Sequence, residues 1–254
     1  MKALLTSDTH YGYSQKTHII HERFLKHLAD VIALNDVKFL IHAGDWACNK
    51  QDQFERTLLM FRKYITIPIL AVRGNHELWD WHKDARRKLM WGEMSRNHAE
   101  WFKAAGIHHL ENDGPFTIGD TIIMGFDGWY HSWNPPTNDV GQMVSYIESA
   151  TAHQYHNQRA HKALDTMLQI DRSQYKTAIC VTHMPVIVKN VVDAAFNANP
   201  AYFDFIKDKC NVLCMGHSHI YMNEYREGVR LLNAGSDYDR PNFLLFDTDD
   251  RIIP

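Results

Sequence analysis

The chain has 254 residues, 45% of them hydrophobic and 22% charged, with a formal net charge of -3. That balance excludes an intrinsically disordered chain, and it excludes a uniformly basic surface that would hold nucleic acid or an anionic membrane by charge alone. Four cysteines without a CxxC pair support neither a zinc ribbon nor a disulfide framework, and the N-terminal MKALLTSDTH is too short in apolar residues for a signal-peptide core. No stretch approaches the length needed to span a bilayer, so a cytoplasmic protein is expected, with one domain over residues 1–254.

The first apolar run, 3–6, reads as a buried strand that stops at Asp8-Thr9-His10. Helical spacing follows over 19–34. A second strand, 39–42, runs into Gly44-Asp45. After a helix over 54–64, a third strand, 69–72, runs into Gly74-Asn75-His76-Glu77. The stretch 79–94 then reads as an insertion that mixes tryptophans with Lys83, Arg86, Arg87 and Lys88. A strand at 122–124 leads into another insertion, 127–140, which carries Trp129, Tyr130, His131 and Trp133. Beyond a helix at 159–168, strands at 178–181 and 212–215 end at Thr182-His183 and at Gly216-His217-Ser218-His219. The runs 221–225, 229–232 and 243–246 are strand-like with little helix between them, which predicts an antiparallel or mixed sheet there. Elsewhere the alternation of strand and helix predicts βαβ units and a sheet covered by helices.

Histidine is the unusual component, with 17 copies. His18, His21, His27, His98, His153, His156 and His161 lie in polar, helix-like stretches and are expected to be exposed or capping. The others of interest follow strands. Five places put Asp, Asn or His directly after a strand, and strand C-terminal ends in an α/β sheet share one edge, so distant groups converge in one crevice. Carboxylate, amide oxygen and imidazole together suit borderline divalent ions. Asp8 and His10, two apart on an extended chain, should turn both side chains to one ion, and His217 and His219 repeat the spacing. Asn75 and His76 are adjacent and should point apart, one to metal and one to substrate. Gly44, Gly74 and Gly216 give room where backbones approach the ions. Glu77 reads as a solvated or N-capping carboxylate.

In this order DxH, GD, GNHE, a strand-end His and GHxH resemble the calcineurin-like metallophosphoesterase superfamily over nearly the whole chain. Asn233-Ala234-Gly235-Ser236 resembles the end of that family's domain. The resemblance implies an α/β fold, a four-layer αββα sandwich with mixed sheets and the metal site at the strand C-terminal ends. It implies two divalent ions, manganese first, with iron, zinc, cobalt or nickel as alternatives. One would be held by Asp8, His10, Asp45 and His219, the other by Asp45, Asn75, His183 and His217, with Asp45 bridging. An activated hydroxide would attack the phosphate of a monoester or diester while His76 protonates the leaving group.

The sequence also departs from parts of the family. Trp46-Ala47-Cys48-Asn49 follows Gly44-Asp45, so the arginine of the GDxxDRG motif of Ser/Thr protein phosphatases is missing, as is the GDxxY tyrosine of purple acid phosphatases. Arg86, Trp129 and Trp133 are expected to supply the grip and the walls for a small phosphate ester such as a nucleotide. A nuclease is the alternative, for which Arg86-Arg87-Lys88 with Trp79, Trp81 and Trp91 would offer phosphate contacts and stacking, but the basic footprint is narrow. A non-catalytic scaffold of the same fold is disfavoured, because every ligand position is filled.

Overall fold

Side chains alternate across a strand, so a strand covered on both faces must be apolar almost throughout. β1 (Lys2–Thr6), β2 (Phe39–Ala43) and β3 (Ile69–Val72) meet that condition. In the computed structural model, which describes residues 1–48, 51–78, 91–130, 146–187 and 199–249, they pair in parallel. The two-residue β4 (His108–His109) continues this sheet in parallel on one side. The antiparallel β11 (Leu244–Asp247) closes the other.

A second sheet runs in the order β5 (Phe116–Ile118), β6 (Thr121–Phe126), β7 (Thr177–Thr182), β8 (Val212–Met215), β10 (Val229–Asn233) and β9 (Met222–Arg226). Its four central strands are parallel and the outer two antiparallel, so the mixed character expected for the last third resides in the β9–β10 hairpin.

The two sheets bury one core between them: Ala3, Leu5, Phe39, Ile41, Leu70 and Val72 meet Ile123, Ile179, Val181, Val212, Cys214 and Leu232. On the outer face of the first sheet, Leu4, Leu40 and Ala71 pack against α1 (Thr17–Asn35), α2 (Gln51–Tyr64) and α3 (Trp91–Ala104). Helix α2 shows why it docks, since Phe54, Thr57, Leu58 and Phe61 recur at helical spacing on one buried stripe. After β4 comes the single turn α4 (Leu110–Asp113). On the outer face of the second sheet, Ile122, Met124, Cys180 and Leu213 pack against Ala160, Leu164 and Met167 of α5 (Tyr146–Leu168) and against Tyr202, Phe203 and Ile206 of α6 (Ala201–Ile206). The result is the αββα sandwich that the resemblance implies.

Register places the functional edge. Thr6 lies opposite His42 and Ala43 opposite Val72, while in the other sheet Phe126 lies opposite Thr182 and Met215 opposite Asn233. Both sets of strands therefore finish at one edge. Among the described residues no helix is long and apolar enough to cross a membrane.

Candidate metal centre

At that edge three groups of side chains could hold a metal ion, Asp8 with His10 and His219, Asp45 with His183 and His217, and His10 with Cys48 and His76; the first two are the sets the sequence pattern singles out. His10 Nε2 and His219 Nε2 are 3.2 Å apart, and His219 Nε2 is 3.5 Å from Asp8 Oδ1. In the second group His183 Nε2 lies 3.2 Å from His217 Nδ1 and 3.0 Å from the Asn75 side-chain oxygen. Asp45 stands between the groups: its Oδ2 is 3.4 Å from His183 Nε2 and 3.8 Å from both His10 Nε2 and His76 Nε2. Atoms that share one ion at about 2.0–2.2 Å stand about 3–3.5 Å from one another, and most of these separations suit that spacing.

The backbone reaches this arrangement by a route that spacing did not reveal. Asp8, His10, Asp45, His217 and His219 all take left-handed φ values, between 46° and 66°. Asp8 and His10 therefore share a cluster through consecutive tight turns and not through the pleat of an extended strand. His217 and His219, with the same spacing, part company: one joins His183, the other joins His10. Left-handed φ at a non-glycine residue costs about 1–3 kcal/mol and persists only where surroundings impose it.

Several groups do the imposing. The Glu77 carboxylate accepts the N–H groups of Asp45 (3.0 Å), Trp46 (2.9 Å), Ala47 (3.2 Å) and Gly74 (2.8 Å), so it is a buried clamp between two ligand loops and not the solvated or capping group expected. Burial, with Asp45 nearby, pushes its pKa up to about 8. The N–H donors of Gly74 and Ala47 act in the opposite sense and favour the ionised form. A side chain at Gly74 would put its Cβ 2.0 Å from Asp45 Oδ1, so this position takes no larger residue. Beneath the loop, Trp46 is fully buried, stacked on His42 at 3.5 Å, and its indole N–H donates to the Val72 carbonyl.

Burial and close contact shift these groups strongly. Burial raises the pKa of Asp8, with Asp45 adding to the rise. Burial would raise Asp45 too, but the imidazoles of His183 and His76 hold it well below the usual carboxylate range. His183 is the counterpart: burial would lower it, yet Asp45 lifts it to about 9. His10 is driven well below its usual value by burial, and His76 falls to about 4 for the same reason, against the pull of Asp45. Asp8 Oδ2 is buried and finds no hydrogen-bond partner among the described residues. An isolated buried carboxylate oxygen is costly unless a cation or donor meets it. Two carboxylates, an amide oxygen and four imidazoles around this oxygen fit two divalent cations.

Residues that pattern reading overlooked lie just behind the ligands. His219 Nδ1 is 2.9 Å from Asp237 Oδ1, which fixes that ring through its far nitrogen. Tyr238 stacks on His10 at 4.1 Å, and its hydroxyl is 3.4 Å from His76 Nε2. Asp127 receives the Arg73 N–H (2.7 Å), Nε–H (2.8 Å) and Nη2–H (2.6 Å) on its carboxylate, which also lies 2.9 Å from His109 Nε2. Its carbonyl accepts the His183 N–H at 3.2 Å. A strand-end acid was the available signal for Asp127, the same signal that marked the ligands.

The histidines of the helix-like stretches divide between exposed and buried positions. His18, His27 and His161 are exposed as expected, but His21, His98 and His156 are buried. His21 Nε2 lies 2.6 Å from the Thr9 carbonyl, and His98 Nδ1 lies 3.2 Å from Arg73 Nη1. They brace the ligand loops. Trp129, expected in a pocket wall, is buried in a cluster with Leu78, Tyr130 and Met184 and stacks on His156 at 4.4 Å. Arg86 and Trp133, with most of both insertions, lie outside the described residues.

The class that this fold and site define is that of the metal-dependent hydrolases. The chain belongs to the calcineurin-like phosphoesterase superfamily, whose domain matches residues 1–251. Members of that family are phosphatases and phosphodiesterases, and this chain is accordingly a metallophosphoesterase. No curated protein sequence matches it significantly. Among solved structures it is similar to the phosphopantetheinyl hydrolase of Mycobacterium tuberculosis, with a TM-score of 0.69 and 18% identity over 94% of this chain and 90% of that one. It is also similar to a dimetal phosphatase of Danio rerio, with a TM-score of 0.63 and 13% identity over 96% of this chain and 91% of that one. A putative 5'-nucleotidase of Staphylococcus aureus aligns at a TM-score of 0.59 and 12% identity, over 98% of this chain but 51% of that one. At these identities the likeness is one of fold.

Proposed function

We propose that the chain hydrolyses phosphate esters with two divalent ions, one held by Asp8, His10, Asp45 and His219 and the other by Asp45, Asn75, His183 and His217. The observation that carries this reading is the position of Asp45 Oδ2, within 3.8 Å of imidazoles from both groups. When bound, such a pair supplies a nucleophile at neutral pH and charge to neutralise the phosphate oxygens. Manganese is the ion we would supply first.

The residues of the chain do the rest. His76 sits beside Asp45 outside the groups of Asp8 and His183, near His10 and Cys48, and its Nε2 lies 3.4 Å from the Tyr238 hydroxyl. In the ligand-free protein burial keeps it neutral at pH 7. A phosphate dianion set against the ring favours its protonated form, the form that would pass a proton to the departing alkoxide. Glu77 and Trp46 hold the Asp45 loop while this occurs.

The test combines chemistry with metal content. Phosphomonoesters, phosphodiesters and single-stranded DNA are compared with manganese and then zinc, and His76→Ala is expected to keep both ions yet lose roughly 10²–10⁴-fold in kcat on esters with poor leaving groups. Nitrophenyl esters should lose less. Absence of turnover on every ester would overturn the function, and loss of an ion in His76→Ala would make that residue a ligand.

A further inference from the structure

Two loops meet at the outer rim of the site. After β1 the chain turns so that the Tyr13 N–H donates to the His10 carbonyl at 3.2 Å, and after β10 a turn closes from Arg240 N–H to the Asp237 carbonyl at 2.8 Å. Thr17 ties them together: its hydroxyl accepts from the Gly12 N–H at 3.3 Å and donates to Asp239 Oδ1 at 3.4 Å. Between the loops three rings form a stair. His10 stacks on Tyr238 with centroids 4.1 Å apart and planes at 23°, and Tyr238 meets Tyr13 at 4.4 Å and 38°. The inner ring is buried, the middle one half-buried, and the outer one 58% exposed.

A single exposed tyrosine needs no explanation. This one differs in where its stack ends, because the next ring places its hydroxyl 3.4 Å from His76 Nε2, and the ring after that belongs to a candidate ligand. A leaving group that takes a proton from His76 must pass beside Tyr238, and whatever it carries outward meets Tyr13. We propose that the exposed face of Tyr13, backed by Tyr238, forms a stacking shelf for the planar part of the leaving group, and that the natural ester carries a nucleobase there. The inference rests on the phosphoesterase reading above. The loop that carries Tyr238 sets Asp237 and Asp239 beside Arg240, and the two carboxylates are engaged by His219 and Thr17, so recognition at the shelf rests on the flat ring and not on charge. A flat π-face is what all bases share, and an aromatic platform binds them with little regard to identity.

The experiment uses two matched pairs of esters that differ in the base alone: adenosine 5′-monophosphate against ribose 5-phosphate, and adenosine 2′,3′-cyclic phosphate against the corresponding methyl riboside. Tyr13→Ala is expected to raise KM for the base-bearing member about tenfold, as loss of one stacking contact implies, with kcat, metal content and the base-free member unchanged. Tyr13→Phe should behave as wild type. Calorimetric titration of the holoprotein with adenosine 5′-monophosphate gives a readout that needs no turnover, and binding about tenfold weaker in Tyr13→Ala, with ribose 5-phosphate unaffected, is the expected result. Equal changes for both members, or none, would overturn the shelf and leave the phosphoesterase reading standing. Normal base-dependent binding without hydrolysis of any ester would do the reverse.

Discussion

The two ligand groups are chemically alike but differently founded. Around Asn75 and His183 the supports are buried: His183 Nδ1 lies 2.8 Å from the Ala43 carbonyl, its N–H is held by Asp127, and the Asp127 carboxylate grips Arg73, two residues before Asn75. Around His10 and His219 buried His21 braces the Thr9 carbonyl, but the side chains that touch the two imidazoles sit in the rim, with the Asp237 side chain 50% exposed and Tyr238 half-buried. Buried charge pairs are rigid because breaking them leaves an unpaired ion in a poor solvent, whereas a half-exposed carboxylate can trade its partner for water. The inner position should thus hold its ion in a fixed frame, and the outer one should exchange more readily.

The largest test removes what the halves share. Asp45→Asn should lower occupancy at both positions, and elemental analysis after dialysis that still finds two ions per chain would refute the bridging role. Next is the inner foundation. Asp127→Asn removes the nearer of two buried carboxylates facing the Arg73 guanidinium and leaves Glu111 Oε1 at 3.8 Å, at an expected cost of about 3 kcal/mol in urea unfolding, and should weaken the inner ion while sparing the outer. The same residue gives a pH signature: Arg73 and His109 overcome burial to hold its carboxyl well below the usual range. A depressed folded-state pKa confers stability that is complete above the unfolded value near about 3.9 and is lost as pH falls through the folded one, so wild type should lose more stability than Asp127→Asn below about pH 4. The smallest effect belongs to the rim. Asp237→Asn should weaken the outer ion about tenfold, with stability of the metal-free protein unchanged; equal loss at both positions would erase the distinction.

Much of this was legible beforehand, for physical reasons. Long apolar runs fix buried strands, and 39–42, 69–72 and 212–215 fall within a residue of β2, β3 and β8. Strand-end Asp and His mark one edge once the sheet is parallel. What escaped was short or relational. β4, with two residues, and α4, with four, are too brief to show a period. Glu77 looks like any acid after a turn, and its role exists only once Asp45 and Gly74 are brought together. Tyr238 carries no metal-ligand chemistry, so its place against His10 could come only from the tertiary fold.

The left-handed backbone at Asp8, His10, Asp45, His217 and His219 limits how this centre can be altered. Asp, Asn and His visit that conformation more readily than other side-chain-bearing residues, so the alphabet open to these five positions is short. Replacing Asp8 by Glu or His219 by Cys changes more than a donor atom, since the incoming residue must also accept a turn it disfavours. Attempts to retune the metal preference by ligand exchange would therefore distort the loops before they test the coordination chemistry. Variation is better directed at Asp237 and Tyr238, which carry no such backbone constraint and whose side chains touch the candidate ligands from behind.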